Sequence, residues 1–148
     1  MFRILVPAAL AASMFLSCQA VAQDNPTIRI VWPPQGSTVE LDDSVEQPVG
    51  VVVESNFRLL AAGQCGDDPR CGHVHMKIDP EGDTCNIPGK PYNSMNSDFG
   101  GELIKARFGH CDEPDGEHVI GVLLADDRHQ PILVDGKPVT ATVTVTTR

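Results

Sequence analysis

The stretch HVHMKID, residues 73–79, decides the fold class of this chain because it alternates strictly between polar and apolar side chains. Val74, Met76 and Ile78 are its apolar members, so an extended strand here buries one face and presents the polar residues on the other. Alternation with a period of two is typical of a half-buried strand and not of a helix. We therefore predict a half-exposed β-strand at this position.

Short apolar or alternating runs recur on both sides of this strand, and no segment of the sequence has the pattern of an amphipathic helix. The predicted strands are residues 27–32, 48–54, 73–79, 102–108, 118–125, 132–134 and 138–146, with residues 57–62 as an extension or a short neighbour. Residues 80–98 form a long Pro-, Gly- and Asn-rich loop, and Asp135-Gly136 is a hairpin signal. About seven short strands with turns between them predict an all-β, antiparallel immunoglobulin-like β-sandwich, with a barrel as the alternative.

The first residues of the chain predict export. Residues 1–22 contain one Arg, a long apolar run and an Ala-Val-Ala end, which is the pattern of a secretory signal peptide cleaved after Ala22. Residues 23–148 then form a single domain. The segment Leu16-Ser17-Cys18 also resembles a bacterial lipobox, so lipidation of Cys18 is the alternative, and membrane attachment is expected only in that case.

The cysteines fit an oxidising compartment. Without Cys18 an even set remains, which in an exported chain predicts two disulfides. Three pairings are possible, of which we favour Cys65 with Cys71 and Cys85 with Cys111. The predicted domain is therefore disulfide-stapled and located in the periplasm or outside the cell.

Charge limits the partners of the chain. The formal net charge is −9 at pH 7 with neutral histidines, so phosphate-rich surfaces are repelled. We expect no nucleic-acid partner. A metal ion or another protein of the cell envelope fits this charge better.

Four segments occur in a recognisable order: IRIVWPPQGSTV, GHVHMKID, GEHVIGVLLADDRHQPI and VTATVTVT. Together they resemble small exported bacterial immunoglobulin-like domains with a GHxHxxID-type strand, which are largely uncharacterised. The resemblance spans most of the mature chain. It implies the fold and the location, and it implies no particular activity.

The His-Val-His strand is also similar to the copper-binding strand of copper/zinc superoxide dismutases. In that family two such histidines bind copper, a third bridges copper and zinc, and a fourth comes from a late strand. His73 and His75 match the first pair, but residues 80–98 contain no histidine, so the bridging and zinc positions have no counterpart. The number of histidines leaves room for a copper-only site that uses His118 or His129, so a copper-dependent dismutase is an alternative function.

Spacing supports a metal site independently of that likeness. Side chains at i and i+2 of a strand lie about 6.6 Å apart on one face, so His73 and His75 can converge on one ion. Imidazole suits copper and zinc, and a third ligand is needed. His118 and His129 bracket a run of about 36 Å when extended, so one of them is expected to join the pair and not both. His110 is a weaker candidate, and we expect Asp79 near the pair because it lies on the same face of the strand.

Two alternatives remain open. His73 and His75 can simply occupy the polar face of an exposed strand, beside the cation of Lys77. Asp67-Asp68 and residues 112–117 concentrate carboxylates in loops and suggest a calcium-binding adhesion-type module, although neither matches an EF-hand. With no nucleophile or phosphate-binding motif in the sequence, we predict a non-catalytic binding or structural module of the cell envelope with a candidate copper or zinc site.

Overall fold

The computed structural model describes residues 24–41, 48–82, 85, 92 and 100–148. The predicted signal peptide, Cys18 and most of the 80–98 loop lie outside the described residues. No helix in the described part of the chain has the length and apolar character needed to cross a membrane.

Within that part, ten strands and a single 3₁₀ turn, Phe108–His110, follow one another. The strands are β1 (Ile28–Trp32), β2 (Ser37–Val39), β3 (Val49–Ser55), β4 (Arg58–Leu59), β5 (Cys71–Ile78), β6 (Leu103–Ala106), β7 (Gly116–Ala125), β8 (Leu133–Val134), β9 (Lys137–Pro138) and β10 (Thr140–Thr147). The extra strands relative to the sequence prediction are short edge and hairpin pieces, whose few residues carry little periodic signal.

These strands form a sandwich. One sheet has the order β1-β3-β6, the other has the order β2-β10-β7-β5-β4, and β8 and β9 form a separate hairpin. The long pairings are antiparallel, whereas the short edge strands β2 and β4 pair in parallel with β10 and β5. The all-β sandwich prediction is confirmed, with two parallel edge pairs in addition.

One apolar core lies between the two sheets. Val51 and Val53 of β3 meet Val74 and Met76 of β5 in a single buried cluster to which β7 and β10 also contribute. Since alternate residues of each strand point to opposite faces, this core uses the apolar half of the HVHMKID pattern. The polar half therefore faces away from the core, on the outer face of the five-stranded sheet.

The prediction that this outer face of β5 is half-exposed is wrong. All eight residues of Cys71–Ile78 are buried, including His73 (0% exposed), His75 (3%) and Lys77 (4%). β5 is an internal strand between β7 and β4, and loop residues such as Tyr92 and His129 lie on the outer face of the sheet. Loops without periodicity gave no sign in the sequence that they would cover it.

Both favoured disulfides are present. Cys65 pairs with Cys71, and Cys85 pairs with Cys111. The first closes a short loop that leads directly into β5. The second joins the long loop after β5 to the segment before β7, so each disulfide lies near one end of the β5–β7 pair.

Candidate metal centre

Strand β5 places two imidazoles side by side on the outer face of the sheet. His73 pairs across the ladder with Ala125, and His75 pairs with Leu123 of β7. The residue before the pair, Gly72, allows β7 to approach closely, since a Cβ there would lie 2.5 Å from the Ala125 carbonyl oxygen. The backbone under the two histidines is therefore held tightly against the end of β7.

The third histidine comes from the turn that follows β7. The bridge between Ala125 and Pro131 folds the chain back on itself. Since Ala125 pairs with His73, this turn brings the side chain of His129 close to His73. His129 has a φ of 61°, a left-handed conformation that side chains other than glycine rarely adopt. The turn is thus built to orient this ring at some conformational cost.

The ring nitrogens of the three histidines form a compact triangle. His73 Nε2 lies 2.7 Å from His75 Nε2, and each of these atoms lies 3.3 Å from His129 Nδ1. The ring planes meet at 44°, 77° and 89°, so no two of the rings stack in parallel. Two of the rings are buried and His129 is exposed, which places the triangle at the protein surface.

Asp126 holds the His129 turn in shape. One of its carboxylate oxygens accepts hydrogen bonds from the backbone N–H groups of Arg128 (2.8 Å) and Gln130 (2.9 Å), on either side of His129. Its backbone carbonyl accepts a further hydrogen bond from the His129 N–H at 3.0 Å. This is the local side-chain-to-backbone bonding by which Asp stabilises turns.

Asp127 joins the same turn to the first disulfide loop. Its carboxylate accepts hydrogen bonds from the backbone N–H groups of Gly63 and Cys65. Because Cys65 is bonded to Cys71 at the start of β5, the turn that carries His129 and the strand that carries the other two histidines share one support. The sequence showed a turn at residues 126–131, but the roles of Asp126 and Asp127 depend on contacts that only the fold creates.

Lys77 lies on the same face, on the side of His75 that faces away from His73 and the His129 turn. Its partner on β7 is Gly121, which leaves space for the only tyrosine of the chain: a Cβ on Gly121 would lie 2.9 Å from the ring of Tyr92. Burial raises the pKa of the Tyr92 phenol above 10.0, and the nearby negative charge of Glu81 raises it further. His129 thus approaches His73 and His75 from the side of the pair that is remote from Lys77.

His118 does not join this triangle. Its Nδ1 lies 2.8 Å from the Asp79 carboxylate and its Nε2 lies 3.2 Å from the Pro114 carbonyl oxygen, so both ring nitrogens face acceptors. Asp79, which was expected near the histidine pair, follows β5 at its opposite end and also accepts the Val119 N–H. The two residues meet there because the antiparallel register brings the start of β7 beside the end of β5.

The other candidate ligands are separate from both sites. Asp68 forms an ion pair with Arg58, and His110 is an exposed residue at the end of the 3₁₀ turn. In the described ranges, two groups of side chains have donor atoms close enough to hold an ion: His73, His75 and His129, and separately Asp79, Cys85, Cys111 and His118. Neither group includes the carboxylates of Asp67-Asp68 or of residues 112–117.

Comparison with known proteins identifies no family. No family model matches the chain, and no curated protein matches it. Among solved structures, the chain is similar to fibronectin(III)-like modules of Clostridium thermocellum CbhA, with 10% sequence identity and a TM-score of 0.46. That match covers 82% of this chain and 96% of the module.

Proposed function

We propose that this chain is an exported, non-catalytic binding module of the cell envelope that holds one copper or zinc ion through His73, His75 and His129. The observation that carries the proposal is the triangle of ring nitrogens with sides of 2.7, 3.3 and 3.3 Å. An N–H between two of these nitrogens accounts for one contact at a time, whereas a single metal ion accounts for all three short distances together. Copper and zinc are the ions that imidazole ligands suit.

The size of the triangle fits these ions. A circle through its three corners has a radius of about 1.8 Å, slightly less than the ~2.0–2.1 Å of a Zn–N bond. The three nitrogens would therefore suit an ion in tetrahedral coordination as three of its four ligands, with one position left over. Since all three protein ligands are neutral, that remaining position favours water, hydroxide or another anion.

The support around the histidines resembles that of a built metal site. Asp126 and Asp127 fix the turn that carries His129, and a disulfide fixes the start of β5. These contacts hold the backbone that carries the three histidines, which preorganises the candidate site. The two disulfides also support export, because such bonds persist in oxidising compartments.

A copper-dependent dismutase is the second candidate function. It is favoured by the coordination position left over and by the exposed Arg128 beside His129, which could attract an anionic substrate. Superoxide consumption by the copper-loaded protein above that of an equal amount of the His75→Ala variant would establish it. Equal consumption by the two proteins leaves the binding module as the function.

Calorimetric titration of the mature protein with Zn²⁺ and Cu²⁺ tests the proposal. We expect one ion per chain, and we expect His75→Ala to weaken binding at least about 10-fold, because loss of a supporting group alone costs 10–100-fold. His110→Ala is the matched control, since it removes an exposed imidazole outside the triangle, and it should bind like the parent. Binding by His75→Ala as tight as the parent, in protein with an unchanged circular-dichroism spectrum, would contradict the proposal.

A further inference from the structure

The opposite end of the β5–β7 pair carries a second set of donor atoms. Asp79, Cys85, Cys111 and His118 each offer one such atom, and these atoms all lie within 4.8 Å of one another. Cys85 Sγ lies 3.2 Å from Asp79 Oδ2 and 3.9 Å from His118 Nδ1. In the structure the two sulfurs are joined as a disulfide, so they are not thiolate ligands in this state.

We propose that reduction of the Cys85–Cys111 disulfide converts this cluster into a second metal site, suited to zinc, with two sulfur, one nitrogen and one oxygen ligand. A dithiol donor transfers two electrons and two protons to the disulfide, giving two thiols, while the donor becomes a disulfide. Zn²⁺ then displaces the protons of both thiols and binds the neutral His118 ring through Nδ1, with the ring proton on Nε2 toward the Pro114 carbonyl oxygen. Two thiolates with imidazole and carboxylate make a ligand set that zinc accepts in tetrahedral geometry.

The surroundings of His118 favour this role. Its Nε2 lies 3.2 Å from the Pro114 carbonyl oxygen, which is the partner that a zinc-bound imidazole typically has behind it. Phe108 packs against its ring, with centroids 5.2 Å apart, and holds the ring in place. The Nδ1 atom already points at the carboxylate and sulfur atoms with which it would share the ion.

Asp79 is also oriented in advance. Its Oδ1 accepts the Val119 N–H at 2.8 Å, which directs Oδ2 toward His118 and Cys85. The two sulfurs are buried, at 0% exposure for Cys85 and 8% for Cys111, and His118 is 6% exposed. A protected, preorganised set of this kind binds zinc more tightly than the same groups on a flexible chain.

The second site is distinct from the histidine triangle. Asp79 is six residues beyond His73, about 20 Å along an extended strand. The two centres thus occupy opposite ends of one strand pair, and neither shares a ligand with the other. The inference therefore stands apart from the proposed function, and either can fail alone.

The test counts zinc in a protein whose triangle has been removed. In a His73→Ala, His75→Ala background, we expect no tightly bound zinc in the oxidised protein and one ion per chain after reduction with a water-soluble phosphine. The matched control adds Cys85→Ser and Cys111→Ser while keeping Cys65 and Cys71, and it should bind no zinc in either state. Equal zinc uptake by the reduced protein and this control would overturn the proposal.

A second measurement separates a folded site from thiols on an unfolded chain. Asp79→Asn and His118→Ala, each in the same background, should weaken zinc binding by the reduced protein at least about 10-fold, in line with the loss of an ordered ligand. Unfolded thiols would bind zinc without regard to these two residues. Unchanged affinity in both variants would therefore also overturn the proposal.

Discussion

At the scale of the residue, the backbone conformation of His129 disfavours any side chain, whereas the proposed site needs its imidazole. His129 has the left-handed backbone that glycine adopts most easily, yet glycine offers no imidazole. Placement of this ring near His73 and His75 explains why a histidine occupies such a position. Strain of this kind is characteristic of functional sites.

Two substitutions at this position test that explanation. His129→Ala and His129→Gly should both weaken zinc binding strongly, since both remove the third nitrogen. Without metal, the Gly variant should be more stable to urea than the Ala variant by about 1 kcal/mol, because glycine accepts the left-handed conformation without a steric penalty. Equal stability of the two variants, or tight zinc binding by either, would contradict this account of His129.

Tyr92 gives a prediction about pH. Its pKa is raised above 10.0 in the folded protein, first by burial and then by Glu81, so the native state holds the phenolic proton more tightly than the unfolded chain does. The Tyr92 contribution to stability is therefore fully present below pH 10 and is lost as the pH rises through the native pKa. Because the chain has a single tyrosine, alkaline titration of phenolate absorbance reports on this residue alone.

The matched variant is Tyr92→Phe, which keeps the ring against Gly121. Its unfolding free energy should lack the part of the decline above pH 10 that the parent shows. A phenolate titration in native protein that coincides with that of the denatured chain would show that the packing of Tyr92 on the sheet has been misassigned.

At the scale of the element, strand β5 shows which structural features could be predicted from the sequence. Alternation in HVHMKID correctly predicted the strand, the core face and the shared face of His73 and His75. It could not choose between His129 and His118 as the third ligand, because both flank the same predicted strand. The choice depends on the register of β5 against β7, in which Ala125 lies opposite His73 and Asp79 reaches His118.

Burial of the outer face of β5 also could not be predicted from the sequence. The segments beside His73 are the Cys65–Cys71 loop and the turn at residues 126–131, which have no periodicity and are connected through Asp127. Parity and export predicted two disulfides but left three pairings open, and the consequence of the pairing for the histidines could not be predicted. Contacts between loops are set by tertiary structure and not by local preference.

The connection between this loop and the site leads to a prediction for the element. Replacing Cys65 and Cys71 together by Ala should lower stability by about 2–3 kcal/mol, the loop-closure value for a short loop, and should also weaken zinc binding. The effect on zinc arises because Asp127 loses its ordered partner at Cys65. Asp67→Ala, an exposed change inside the same loop, is the control and should leave zinc affinity unchanged.

The Cys65→Ala, Cys71→Ala protein could instead bind zinc as tightly as the parent. That result would show that the disulfide loop does not support the histidine site. In that case the turn at residues 126–131 would have to hold His129 by Asp126 alone.

At the scale of the whole molecule, the sandwich and its two disulfides agree with the proposal of an exported domain. An acidic chain of this size gains stability from cross-links in an oxidising compartment. The two candidate centres lie at opposite ends of the β5–β7 pair, each near one disulfide. In the proposed function, the strand pair is the frame that holds each candidate set of ligands in position.

Processing of the N-terminus tests the export part of this description. Mass spectrometry of protein secreted by a bacterial host should give a chain that begins at Gln23, because the Ala-Val-Ala signal ends at Ala22. A chain that begins at a lipid-modified Cys18 would establish the lipoprotein alternative. Cys18→Ala should leave cleavage after Ala22 intact in the first case and abolish lipid attachment in the second.

The central claim is that three imidazoles hold one metal ion, and anomalous diffraction from crystals of the zinc-loaded protein tests it most directly. The account predicts a zinc peak within ~2.0–2.1 Å of His73 Nε2, His75 Nε2 and His129 Nδ1 together. Crystals of the His75→Ala variant grown under the same conditions should lack that peak. A parent crystal with no zinc at the triangle, or with zinc bound only to other residues, would contradict the account.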